Sequence, residues 1–172
     1  MAYAENTSVP VAKSRAEIER LLSRHKCAKF MAGVDNEAHR ATVQFQAHNR
    51  IVKFEIDLPN ASDPKYRHIK NSYYQRTASG IAKVVEQEER TRWRALLLVI
   101  KAKLEAVESG IATFEDEFLA HVLLPNQQTV AEYIGPEVAR IYESGRMPPE
   151  RQIAASSVVV DAVDVVDAAE KR

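Results

Sequence analysis

Between residues 84 and 109 the chain has neither glycine nor proline, and its apolar residues keep one spacing. Trp93, Leu96, Leu97, Ile100, Leu104 and Val107 stand at i, i+3, i+4, i+7, i+11 and i+14, the repeat of one face of an α-helix. Leu98 and Val99 widen that stripe, so the middle of the helix is expected to be enclosed on most sides. Gly110 stands where a left-handed cap would end it. Each large apolar side chain withdrawn from water contributes about 1.5–3 kcal/mol. A helix this rich in them should organise the core, and the rest of the chain has to supply what packs against it.

Upstream, three segments alternate with period two. Phe30, Ala32 and Val34 form the first; Ala41, Val43, Phe45 and Ala47 the second; Val52, Phe54, Ile56 and Leu58 the third. The links between them are short, which predicts an antiparallel meander with one apolar and one polar face, ended by Pro59. Before the strands, Ser14 and Glu17 have the spacing of a capping box, and Ile18, Leu21 and Leu22 follow at helical spacing. A first helix is expected over about 15–25. After the long helix, Thr113 should cap a short helix with Phe114, Phe118, Leu119 and Val122 inward, closed by Pro125. Thr129 and Glu132 form a second capping box before the stripe Ile134, Val138, Ile141 and Tyr142. Gly135-Pro136 predicts a kink or break there, and Gly145 an end.

The expected fold is therefore α+β: an N-terminal helix, a three-stranded antiparallel meander, a long central helix packed on the sheet, two further short helices and a disordered tail. Residues 1–12 read as a flexible arm and 13–148 as one domain. Residues 149–172, rich in Ala, Val and Asp and without aromatic residues or leucine, read as a disordered acidic tail.

A chain of 172 residues buries enough surface to fold without staples. With Cys27 its only cysteine it forms no internal disulfide, which favours a reducing compartment. The longest apolar run, six residues at 95–100, is far below the ~20 a membrane span needs. The first residues lack the basic-then-apolar pattern of a signal peptide, so a cytoplasmic setting is expected. Net charge is zero but uneven. Residues 1–100 carry 17 basic and 11 acidic side chains, and 101–172 carry 7 and 13. Such asymmetry suits an anionic partner, head-to-tail self-association into a homo-oligomer, or neither.

Motifs for phosphate cradles, dinucleotide sites, serine nucleophile elbows and zinc sites are absent. No cofactor or metal is expected, and nothing requires an enzyme. The histidines His25, His39, His48, His68 and His121 lack ligand spacing and read as surface or loop residues. Cys27 has cationic neighbours that could lower a thiol pKa, yet a lone cysteine between helix and strand is more often a small core residue. Glu115, Asp116 and Glu117 could hold a divalent ion for nuclease chemistry, but the positive end of a helix dipole attracts the same residues.

The sharpest positive feature lies at 65–76, where four basic residues and three tyrosines interleave without one acidic residue. Lys65, Arg67, Lys70 and Arg76 could neutralise phosphates while Tyr73 and Tyr74 stack on unpaired bases. Arg90 and Arg94 follow at i, i+4 on the long helix. The plainer reading is a solvated loop whose tyrosines pack back onto the domain, with Glu86, Glu88 and Glu89 neutralising the arginines.

The stretch RWRALLLVIKAKLEAVE at 92–108 is distinctive. So are TFEDEFLAH at 113–121, Leu124-Pro125 and Thr129-Val130, with RAEIER at 15–20 and Gly145-Arg-Met-Pro148 near the ends. On these residues the chain resembles, over about 10–148, a family of small uncharacterised proteins encoded by tailed bacteriophages and prophages. The loop at 60–82 fits that pattern least. The resemblance implies a setting, an accessory protein inside an infected bacterium, and carries over no functional residue. The leading α-β-β-β-α order is also that of double-stranded-RNA-binding domains, without their lysine-rich second helix.

Three functions follow as expectations. The first is nucleic-acid binding in phage DNA or RNA metabolism through Lys65, Arg67, Lys70, Tyr73, Tyr74, Arg76, Arg90 and Arg94. The second is a counter-defence or host-takeover role, binding a host protein or sequestering a signalling nucleotide. The third is a metal-dependent nuclease built on Glu115, Asp116 and Glu117.

Overall fold

A computed structural model describes residues 4, 6–69 and 73–147. The chain runs α1 (Val11–Arg24), β1 (Ala28–Asp35), β2 (Arg40–Ala47), β3 (Arg50–Asp57), α2 (Ala78–Glu108), α3 (Phe114–Phe118) and α4 (Val130–Ser144). Short 3-10 turns lie at Pro64–Tyr66 and Leu119–His121. The expected α+β architecture is present: a meander of order β1-β2-β3, antiparallel throughout, with the long helix α2 at its centre. The expected acidic tail lies outside the described residues.

The apolar faces of β2 and β3 meet α2 as the alternation predicts, whereas β1 contributes only the partly buried Phe30 and Ala32 and its Val34 is exposed. Ala41, Val43 and Phe45 of β2 and Val52 and Phe54 of β3 are buried with Trp93, Leu96, Leu97, Ile100 and Leu104 of α2. Ile18, Leu21 and Leu22 of α1 and Phe114 and Phe118 of α3 complete this core. Phe118 meets Phe45 and Phe54 edge-on, with ring centroids 6.0 and 6.4 Å apart, an arrangement aromatic quadrupoles favour. Beyond β3, Val122 bridges Val52 and the Leu123 N–H donates to the Ile51 carbonyl at 2.8 Å, which covers that sheet edge. Between β2 and β3, His48 and Asn49 both have positive φ and form the two-residue turn that the strands' twist demands.

Four local expectations are corrected. First, α1 begins at Val11, not 15, and Ser14 is not its cap: it lies fully buried inside the helix. Val11 packs against the core, and that packing extends the helix backwards. Ala4 is buried and the Thr7 carbonyl accepts from Gln87 at 2.9 Å, so part of the stretch read as an arm is fastened down. Second, α2 begins at Ala78, capped by the Thr77 hydroxyl accepting from the Gly80 N–H at 3.2 Å. Gly80 had masked those first turns. Third, α3 is only one turn of α-helix, so Leu119 turns outward while Val122 reaches β3.

The fourth correction concerns α4. It runs unbroken through Gly135-Pro136, held by the Thr129–Glu132 capping box and a left-handed Gly145. Its apolar stripe packs into no core: α4 has no fully buried residue. Ile134, Val138 and Tyr142 are exposed.

Candidate functional site

The segment after β3 is built outward from a salt-bridged base. Asp63 accepts from the Lys65 N–H at 2.9 Å and caps the turn at Pro64–Tyr66. That turn drives the Tyr66 ring into the domain, where it is buried and its hydroxyl donates to the Glu88 carboxylate. Glu88 also receives Arg92 at 2.6 Å and Lys65 at 3.9 Å. Partial burial opposes ionisation of Glu88, but the Tyr66 hydroxyl, Arg92 and Lys65 outweigh it and hold the carboxyl below its usual range. Arg92 reaches on to the Asp57 carbonyl. The hub therefore ties the end of β3, the turn and α2 together.

Above this base the chain doubles back. The Arg76 N–H donates to the Arg67 carbonyl at 2.7 Å, and the Ile69 N–H to the Tyr74 carbonyl at 3.3 Å. His68 bridges Gln75. The Arg76 guanidinium lies across the neck, donating to the Tyr66 carbonyl at 3.1 Å and to that of His68. The result is a clasp between 66–69 and 74–76, with Ile69, Tyr73 and Tyr74 exposed beyond it, Tyr73 wholly so.

The eight residues expected to grip a polyanion thus divide. Lys65 lies over the Tyr66 ring at 4.7 Å and pairs with Asp63 and Glu88. Arg90 pairs with Glu86 at 2.5 Å and donates to Gln87. Arg94 pairs with Glu17 at 2.5 Å, tying α1 to α2. Arg76 is occupied by carbonyls. Lys70 lies outside the described residues. Among the described cations of the set, the exposed Arg67 guanidinium alone has neither a carboxylate nor a carbonyl partner. The three arginines of α2 face carboxylates, two of them through the i, i+4 spacing of Glu86–Arg90 and Glu88–Arg92.

The other candidates are structural. Asp116 accepts from the Thr113 N–H and hydroxyl, and those bonds hold its carboxyl below the usual range. Glu117 pairs with Lys103 at 3.1 Å and Glu115 lies 3.9 Å from Arg50, so the three carboxylates diverge. Among the described residues no group of three or more His, Cys, Asp or Glu side chains could hold a metal ion. Cys27 is half-buried, and burial pushes its thiol pKa up, away from nucleophile chemistry. Among the described residues no helix is long and apolar enough to cross a membrane.

One cleft of about 250 Å³ opens where the ends of α1 and α2 meet the β2–β3 turn. His25, Cys27, His48, Leu104, Glu108 and Phe114 help line it, with His25 Nδ1 3.2 Å from Glu108 and the His48 ring stacked 4.6 Å from Phe114.

The Tyr66–Glu88–Arg92 hub was only partly legible beforehand. The i, i+4 spacing of Glu88 and Arg92 gives half of it, while Tyr66 joins from 22 residues away through the fold. No family model, curated protein or solved structure matches this chain.

Proposed function

We propose that this chain is a non-enzymatic binding protein that recognises another protein through the clasped segment whose described residues are 65–69 and 73–76. Its setting, on the sequence resemblance alone, is the cytoplasm of a phage-infected bacterium, and its role there is counter-defence or host takeover. The observation that carries the reading is a set of exposed side chains, Ile69, Tyr73 and Tyr74, with an exposed Arg67 in the same segment, on a base tied down by Glu88 and Arg76. Tyrosine and arginine supply most interface hot spots, and a rigid base lowers the entropy cost of presenting them. Neutralised arginines on α2 weigh against a polyanion groove, whose affinity would come mainly from unpaired cations.

A second reading keeps nucleic acid. Tyr73 could stack on an unpaired base with Arg67 on the neighbouring phosphate. One set of measurements separates the two. Mobility shifts with single- and double-stranded DNA and RNA at two salt concentrations are expected to show no retardation. A bacterial protein captured by the immobilised chain is expected to be lost with Tyr73→Ser/Tyr74→Ser and kept with Arg90→Gln. Salt-sensitive retardation abolished by Arg67→Gln would replace the protein-binding reading with the nucleic-acid one.

A further inference from the structure

We propose that α4 is a self-association element: two copies of this chain pair their α4 helices antiparallel about a two-fold axis near Val138. The starting point is that α4 has no buried residue although its sequence is amphipathic. At 100° per residue, Ala131, Ile134, Gly135, Val138, Ile141, Tyr142 and Gly145 fall on one side within about 120° of arc. Tyr133, Pro136 and Arg140 lie on the other, so the proline that interrupts the hydrogen-bond ladder stays clear of the stripe. A fifteen-residue helix is at the length where helices are only marginal in isolation, about 12–15 residues, and Gly135-Pro136 lowers its propensity further. What fastens α4 lies at its first turn, where the Val130 N–H donates to the Val122 carbonyl at 3.0 Å. The remaining turns need a covering surface.

The covering surface is read from shape and charge. Between α4 and the turn after α3 runs a groove of about 640 Å³, floored by Leu119, Val130, Ala131, Ile134 and Val138 and rimmed by Glu115 and Asp116. Gly135 opens onto it, with nothing within 4 Å of where a Cβ would stand. In the antiparallel arrangement Val138 meets its own counterpart, and Tyr142 of the second copy lies against Ile134. Arg146 follows the C-terminal cap of α4 and Glu132 lies in its first turn, and an antiparallel two-fold about Val138 brings those two ends to one level. Arg146 of each copy then meets Glu132 and the Glu115–Asp116 rim of the other. Arg146 is exposed with no ion pair among the described residues, and hydrogen bonds from Thr129 hold Glu132 ionised. The chain's own residues 148–172 fit this rim poorly, because they carry five acidic and three basic side chains. An isologous pair is the commonest way for a surface to satisfy itself.

The full chain is tested by sedimentation equilibrium over a concentration series up to about 100 µM, since an interface of this small size is weak. A reversible monomer–dimer equilibrium is expected. It should weaken at least ~10-fold, about 1.4 kcal/mol, in Ile134→Asp/Val138→Asp, with the monomer still folded because neither residue belongs to the core that α1 to α3 share. Arg146→Glu should also weaken it. In a C27S background, V138C should cross-link as a symmetric disulfide on mild oxidation. A wild-type chain that stays monomeric overturns the proposal and leaves the face to another protein or to the chain's own end. A dimer indifferent to the double substitution overturns it too, and a dimer that never cross-links at position 138 overturns the two-fold register.

Discussion

His121 lies flat against Phe54 with ring centroids 4.1 Å apart, and its surroundings oppose a second proton. Burial is the larger cause and the Lys103 ammonium the smaller, and both push its pKa below the ordinary histidine value. The sign of the linkage follows. Below about pH 6.5 the unfolded chain binds a proton here that the folded chain refuses, so stability falls as pH drops through that window and is level above it. The urea midpoint should therefore fall between pH 7.5 and 5.5, and His121→Phe, which keeps the stack, should flatten that fall; an unchanged slope would remove the assignment. Ser14 makes a second test. Its hydroxyl is buried inside α1 with no hydrogen-bond partner among the described residues. Ser14→Ala should be neutral or stabilising by up to about 1 kcal/mol in denaturant titrations, whereas loss of a true helix cap costs about that much. The spacing Ser14–Glu17 could not distinguish the two, because the choice is made by Val11 packing on the core and by Glu17 turning to Arg94.

At the scale of elements, what was legible tracks how local its cause is. The strands follow from alternation, and α2 from its stripe; the caps at Thr113 and Thr129 follow from a side chain meeting a backbone N–H three residues on. What was illegible depends on partners distant in sequence. The basic segment reads as a groove when only its own charges are counted, whereas the plainer reading, with tyrosines packed back and Glu88 neutralising an arginine, holds for Tyr66 and Arg92, although Glu88 lies 12 residues beyond Arg76. Charge counts along a chain do not register which carboxylate the fold will bring near. Glu88→Ala tests the hub. It leaves the buried Tyr66 hydroxyl unsatisfied and frees Arg92, so a loss of about 1–3 kcal/mol is expected in urea unfolding. The loop at 65–76 should also become more susceptible to limited proteolysis, while Glu86→Ala, removing only the partly exposed pair with Arg90, should cost under about 1 kcal/mol. Equal effects of the two would show that Glu88 is an ordinary surface carboxylate.

For the whole molecule, stability is concentrated at one end of the element order. Everything from α1 to α3 shares one core around Trp93, Phe45 and Phe118, while α4 hangs from the domain by its first turn. Amide exchange reads this directly. Protons in the buried middle of α2, from Trp93 to Leu104, should exchange only through global unfolding. Those of α4 beyond Tyr133 should exchange orders of magnitude faster in dilute solution, because local fraying exposes no apolar core. If the face of α4 is satisfied by a second copy, that protection must rise with protein concentration while that of α2 does not, since mass action stabilises only what the association buries. Concentration-independent protection of α4 would mean that the helix is held within one chain, and the stripe Ile134, Val138 and Ile141 would then need a covering from the same molecule.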